Sequence, residues 1–470
     1  MQHIETDYLI IDAGAVGLDF ADTLIAETDA HITIVDRHGK PGGHWNDAYS
    51  FVSLHQPSAF YGVNSLELGS GRKDTHGANA GLYELASGPE VSSYFDKVMQ
   101  HKLLPSGRVG YHPMCDYKGD GRFVSLLSGA ETRVTVRRKL VDATYYGTSV
   151  PSAHTPKYKV ADGSWLTTPN ALPQLGWGKR GRPGHFVIIG AGKTAMDVGV
   201  WLLDSGADPA SISWVRPRDS WLVNRLHTQP GAEFFDETIG GQADQMEAYA
   251  HATSVDDLFQ RLEACRAMLR IDPDHKPTMF HYATISMGEI ETLRKITNVI
   301  RMGHLQTLEA DSLVLDQGTV PLAAGTLCID CTASAVERRP TQKIFQGDKI
   351  VPQLVRIPQP AFSAALAAYV EAHHDDDKTK NRLCATVPFP DGVDTYPAST
   401  MASMMNQFNW SQDKALRTWI RDSRLDGFGK LIAGIDRADK EKQAVLQRFK
   451  TNAFAAMANM PRLMGGPASA

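Results

Sequence analysis

At 470 residues, with 21% charged side chains and a formal net charge of −5, the chain is too long for one compact core and carries no polybasic footprint. Contact with a nucleic-acid backbone needs such a footprint, so nucleic acid is not expected as a partner. Five cysteines (Cys115, Cys265, Cys328, Cys331 and Cys384) form no disulfide framework, and their odd number points to the reducing cytosol.

From Met1 the chain passes through Glu5 and Asp7 straight into an apolar stretch, without the basic start and long apolar core of a signal peptide. Apolar runs elsewhere are shorter than a bilayer span requires, so no membrane partner is expected either. Tyr8–Ile11 reads as a strand, Val16–Ile25 as a helix, and His31–Val35 as a second strand closing on Asp36. The intervening helix supplies the crossover of a right-handed parallel pair.

Beyond it, Gly69 to Gly88 reads as loop and Val134 to Thr148 alternates like β structure. The Pro, Gly and Arg cluster from Gly176 to Gly184 reads as a linker. The first design then recurs, with a strand at His185–Ile189, a glycine turn at Gly190–Ala195, a helix at Met196–Leu203 and a strand at Ser211–Val215. From Thr228 to Ile296 the pattern turns helical. There Ser254 and Asp257 resemble a capping box ahead of an apolar face of Val255, Leu258, Phe259, Leu262 and Leu269. Val299 to Val320 reads as short strands about the turn Asp316 to Gly318, and the apolar run Thr326–Ile329 follows. The His373–Lys380 run holds two His and three Asp, but consecutive ligands diverge on most backbones, so a solvated loop is expected and no metal site.

A dinucleotide turn uses its first glycine for the tight bend, its second for backbone approach to the pyrophosphate and its third for helix–strand packing. Amides at the helix start then hold the phosphates. The second unit matches, with Gly190, Gly192 and Ala195 in these places and Lys193 and Thr194 at the helix start. Its second strand ends in Arg216, with Arg218 two residues on, where an NAD site has an acid; this predicts a 2′-phosphate and hence NADPH. The first unit keeps Gly14 and Gly17 and ends its second strand in Asp36, followed by Arg37, but its first glycine place holds Asp12. At about 5 Å and an effective dielectric near 20, that carboxylate opposes each phosphate charge by about 3 kcal/mol.

The N-terminal turn, Asp36, the element Pro41-Gly42-Gly43-His44-Trp45 and a second turn in mid-chain together resemble the class B flavoprotein monooxygenases, which comprise the flavin-containing, Baeyer–Villiger and N-hydroxylating enzymes. Disulfide reductases share the layout but carry a redox cysteine pair after the double glycine, where this chain has Asn46 and Asp47. Asp330-Cys331-Thr332-Ala333 resembles the family's Asp-Ala-Thr-Gly element, which puts Thr332 at the cofactor; Cys328 and Cys331 are expected to be packing cysteines. The family's FxGxxxH linker fingerprint has no equivalent at Leu175 to Gly184.

The resemblance implies an α/β fold with two Rossmann-like domains. An FAD-type domain would comprise residues 1–175 and, with C-terminal helices, 326–470; an inserted NAD(P)-type domain would comprise 176–325 with a helical insertion at about 228–296. It implies FAD and NADPH as cofactors and a monooxygenase acting on a small organic molecule through a flavin C4a-peroxide. FAD would be held by Asp12, Gly14, Gly17, Asp36, Arg37, Gly43, His44, Trp45 and Thr332. NADPH would be held by Gly190, Gly192, Lys193, Thr194, Ala195, Arg216 and Arg218. By position after Trp45, His55 and Gln56 are the catalytic candidates, and His55 reads equally well as a structural histidine. Asn224 and Arg225 stand as lesser candidates, and Met279, Phe280, His281 and Tyr282 as lining of a substrate cavity. Asp12 leaves open a flavin-free member of the fold, with a non-redox or ligand-binding role, or with NADPH alone. A homodimer is compatible with all three readings.

Overall fold

The structure is a computed structural model and describes residues 2–175, 181–333, 337 and 339–465. Strand β1 (Gln2–Ile11) runs into helix α1 (Ala15–Glu27) and strand β2 (Ile32–Val35), which pairs with β1 in parallel, Ile11 opposite Val35. Leu9, Ile10, Ile32 and Ile34 are buried, as expected of parallel strands covered on both faces. Helix α2 (Gly88–Val98) begins in a capping box in which Ser87 and Glu90 satisfy each other's amides. Strand β3 (Val109–His112) extends the parallel run beside β2. Strands β4 (Cys115–Gly119), β5 (Arg122–Ser125) and β6 (Glu131–Asp142) form a meander that returns β6 to the other side of β1, so that Ile11 faces Asp142.

The second unit repeats this plan. Strands β7 (Lys159–Val160) and β8 (Leu166–Thr167) precede β9 (His185–Ile189), α3 (Lys193–Asp204) and β10 (Ile212–Val215). Strand β11 (Ser220–Asn224) leads to α4 (Gly241–His251), α5 (Val255–Ala264), β12 (Met268–Leu269), β13 (Met279–Ile285) and α6 (Met287–Leu293). Then come β14 (Asn298–Ile300), β15 (Leu305–Leu308), β16 (Ser312–Leu315), β17 (Gly318–Pro321) and β18 (Thr326–Asp330). A five-stranded sheet takes the order β14-β10-β9-β18-β8, parallel throughout.

The insertion at 228–296 mixes strand with helix: β13 pairs in parallel with β11, and β12 pairs antiparallel to it. Helix α5 does present Leu258, Phe259 and Leu262 inward, with Ser254 accepting from the amide of Asp257 at 3.1 Å. Two parts of the expected domain division look different in the sheet pairing. β18, placed at the return to the first unit, lies beside β9, and β8 joins the second sheet. Part of the Gly176–Gly184 linker lies outside the described residues.

The return comes at β19 (Phe345–Gln346) and β20 (Lys349–Ile350), the latter pairing with β6. The alanine-rich α7 (Pro360–His373) packs along α1, its small side chains letting the helices lie close. Helices α8 (Asp377–Leu383), α9 (Tyr396–Gln412), α10 (Lys414–Asp422), α11 (Phe428–Ala433) and α12 (Lys440–Leu463) complete the fold, α12 lying on α4. In the 373–380 run, His373 binds Glu27 and Asp376 caps α8 through the amide of Thr379. Among the described residues, no helix is long and apolar enough to cross a membrane.

Candidate functional site

The two units present homologous turns at the carboxyl ends of β1 and β9, where ligands of open α/β sheets bind. In each, the residue after the strand donates its amide to the end of the neighbouring strand: Asp12 to Val35 at 2.9 Å, Gly190 to Val215 at 3.1 Å. Both have positive φ, 85° and 125°. Each inner strand closes on an Asp-x-Thr turn. Asp142 Oδ1 accepts from Thr144 Oγ1 at 2.6 Å, and Asp330 Oδ1 accepts from Thr332 Oγ1 at 2.6 Å. Sequence reading found Thr332 and missed its twin, although the element Asp142-Ala143-Thr144 was there to be matched. His154 lies 3.1 Å from Thr332 Oγ1.

In the first unit, Gly14 precedes α1, and a Cβ at Gly17 would fall 2.1 Å from the carbonyl oxygen of Asp12, so only glycine permits that packing. Gly42 donates to Ala13 at 2.8 Å and brings Gly43 against the turn. Asp12 points inward. A Cβ built at Gly14 would meet its Oδ2 at 2.7 Å, and one built at Gly43 would meet its Oδ1 at 3.7 Å and the Cα of Gly14 at 2.9 Å. Burial, then the charge and hydrogen bond of Asp36, push its carboxyl up to about 8 against the pull of His38 and the Gly14 amide. Burial and Asp36 thus disfavour the full negative charge expected of this residue, and the carboxyl itself is lodged in the cradle.

Asp36 is already engaged, accepting from Ala13 N and His38 N at 2.6 Å each and from His38 Nδ1 at 3.0 Å. His38 Nε2 reaches Asp47 at 2.8 Å, and its ring is raised to about 9 by Asp36 against burial, with Asp47 adding to the effect. Arg37 points away; its side chain is 72% exposed and lies 3.8 Å from Asp116. His44 is lowered to about 4 by burial, and Trp45 donates to Tyr61 at 2.7 Å.

The second cradle is open. A Cβ at Gly190 would strike the Cys331 carbonyl at 2.6 Å, whereas at Gly192, which is exposed, it would meet nothing within 4 Å. Ala195 is fully buried against the sheet. Two expected ligands are engaged elsewhere. Lys193 turns inward to ion pairs with Asp197 and, at 3.1 Å, Glu289; burial opposes its charge, but these carboxylates outweigh it and hold the ammonium above its ordinary value. Arg216 is 3% exposed, pairs with Asp219 at 2.9 Å and lies 4.9 Å over Trp214, leaving Nε and Nη1 buried without partners. A cation inside a protein must be paired, and here the protein supplies the acids itself. Arg218 is exposed and remains at the strand end.

A buried polar network that sequence reading located only in part joins residues of the first unit to residues of the second. Arg225, 1% exposed, donates to His55 O at 2.9 Å, to Glu289 at 2.6 Å and to Asn79 at 3.2 Å. Tyr49 donates to Asp197 at 2.7 Å, and Thr194 also bonds Tyr49. Burial opposes the charge of Glu289, but Lys193 and Arg225 hold it well below the ordinary carboxylate range. Sequence reading had put forward His55, Thr194 and Arg225 but not Tyr49, Asn79, Asp197 or Glu289, and of these four Glu289 carried a signal, the capping box Ser286-x-x-Glu289 of α6. His55 sits in the network with its imidazole lowered to about 4 by burial and by Lys193, while Gln56 bonds Phe60 O at 3.4 Å. Asn224 caps the turn that follows β11 through Leu226 N. Met279 to Tyr282 lie on β13, and Phe280 is fully buried against Phe259 and Tyr396, so it packs a core where cavity lining was expected. Cys328 and Cys331 are buried free thiols, as packing cysteines should be; burial pushes Cys328 up to about 12.

No family model matches the chain. The uncharacterized proteins Rv2000 of Mycobacterium tuberculosis (strain ATCC 25618 / H37Rv) and Mb2023 of Mycobacterium bovis (strain ATCC BAA-935 / AF2122/97) are each 45% identical to it over 447 residues. The match takes in 95% of this chain and 82% of theirs. Among solved structures, polycyclic ketone monooxygenase from the thermophilic fungus Thermothelomyces thermophila matches with a TM-score of 0.51 at 13% identity, over 98% of this chain and 85% of that one. Cyclohexanone-bound cyclohexanone monooxygenase in its rotated conformation matches with a TM-score of 0.50 at 13% identity, over 79% and 86%. The chain therefore belongs to the family of these mycobacterial proteins, and its fold, with two Rossmann-like units, is that of the polycyclic ketone and cyclohexanone monooxygenases.

Proposed function

We propose that this chain is an NADPH-dependent oxidoreductase acting on a small organic molecule. One observation supports the reading above the others: the open second cradle, where the amides starting α3 lie behind the exposed Gly192 with Arg218 at the neighbouring strand end. A helix start of this kind favours a diphosphate, and a guanidinium at that strand end favours a 2′-phosphate.

Within this reading, the monooxygenase version adds FAD, which in such a fold takes reducing equivalents from NADPH and activates oxygen. Gly14, Gly17, Gly43 and Thr144 would flank it. The first cradle does not fit it, because the Asp12 carboxyl lies against both Gly14 and Gly43 and Asp36 is already engaged by Ala13 and His38. That placement favours the version without flavin, in which the nicotinamide dinucleotide is the redox group.

Calorimetric titration with NADPH and NADH tests the reading. NADPH is expected to bind the more tightly, and Arg218→Ala to erase about a tenfold preference, or about 1.4 kcal/mol. Absence of binding by either nucleotide would refute it.

A further inference from the structure

We infer that the first cradle is filled by the chain's own Asp12 side chain in the place of a dinucleotide diphosphate, and that this one side chain keeps a flavin dinucleotide out. The inference deepens the flavin-free version above and rests on the same two-cradle reading, but not on what the second cradle binds.

The twin turns make the comparison internal. Asp12 and Gly190 share the same backbone bond, the same sign of φ and the same Asp-x-Thr neighbour. At Gly190 nothing projects, and the space before Gly192 is open; at Asp12 a carboxyl projects to within contact of where substituents on Gly14 and Gly43 would begin. A diphosphate needs the helix-start amides and the face of the double glycine together. Here one of those amides, that of Gly14, already faces the Asp12 carboxyl and works against the rise in its pKa.

The groups facing this carboxyl close the remainder of the seat. Asp36 at the end of β2 lies beside it, with a carboxylate oxygen within 4.8 Å, and His38 bridges Asp36 to Asp47. Tyr111 approaches from β3. Ribose hydroxyls would have to compete for an Asp36 carboxylate that already accepts three hydrogen bonds. Exclusion by occupancy differs from exclusion by charge: an uncharged side chain of equal size should exclude equally well.

The experiment measures binding of FAD and of ADP, the half they share, to the wild type, Asp12→Asn and Asp12→Gly, with NADPH binding recorded separately in each. The wild type should purify without a flavin absorbance band. Asp12→Asn, equal in size and tolerant of positive φ, should stay flavin-free. Asp12→Gly should gain about a hundredfold or more in affinity for both ligands, the scale of one or two charge-assisted hydrogen bonds no longer displaced. Stoichiometric flavin in the wild type overturns the inference, as does equal gain by the Asn and Gly variants, or a folded Gly variant without gain. Loss of NADPH binding alone would remove the proposed function and leave this inference standing.

Discussion

Replacing Asp12 by glycine is predicted to stabilise the protein, by an amount that depends on pH. Two costs are removed. A non-glycine residue at φ 85° carries about 1 kcal/mol of backbone strain, independent of pH. The carboxyl, pushed up to about 8 in the folded chain mainly by burial, returns to an ordinary value near 4 when the chain unfolds. With the folded value raised, the unfolded state loses its proton first, so stability falls as pH climbs through the window from about 4 to about 8 and then levels off. At pH 7 the proton contribution reaches up to about 4 kcal/mol, at 1.36 kcal/mol for each pH unit of separation. Denaturant midpoints for the wild type and Asp12→Gly, measured from pH 4 to pH 9, should therefore diverge from a difference near 1 kcal/mol to one of several kcal/mol. A difference that stays flat across that range would show that the carboxyl is not held protonated in the cradle, and the account of a filled seat would go with it.

Asp19 lies on α1 with both carboxyl oxygens buried and unpartnered, and burial raises it well above its ordinary value; Asp19→Ala should stabilise the protein by roughly 1–3 kcal/mol at neutral pH, and a destabilised variant in thermal unfolding would refute this. His38 has the opposite sign: raised to about 9, it contributes stability fully below its unfolded value near 6.5, and that contribution is lost as pH rises through 9. His38→Ala should then cost about 1–2 kcal/mol at pH 6, after allowance for a side chain 31% exposed, and much less at pH 10, as read from denaturant midpoints. Glu289→Gln leaves Lys193 and Arg225 short of a buried partner and should cost roughly 3 kcal/mol, whereas a loss below about 1 kcal/mol would mean the network is solvated.

The two β-α-β units were legible because their signals are local. A strand, a glycine turn and a helix lie within some thirty residues, and His185–Ile189 emerges with the bounds read from its pattern. Glycine positions also carried over: Gly17 answers to the carbonyl of Asp12 five residues earlier, and Gly190, although its close neighbour is the distant Cys331 carbonyl, was marked by its place in the local turn pattern. The strand β13 was not legible: its hydrogen bonds go to β11, some sixty residues earlier, and its apolar residues fit a helical face equally well. The network of Tyr49, Asp197, Arg225 and Glu289 draws on segments far apart in the chain, and no spacing could announce it.

What the sequence determined by itself was the architecture of two nucleotide cradles and the oddity of an acid in the first. Tertiary structure decided what became of the charges. It turned Lys193 inward to Glu289 on α6, buried Arg216 against the nearby Asp219, left Arg218 outside, and set Asp12 against Gly43 and Asp36. The reason is physical: a side chain's direction and protonation follow from how far it is desolvated and from which charges surround it, and both are set by segments remote in the chain.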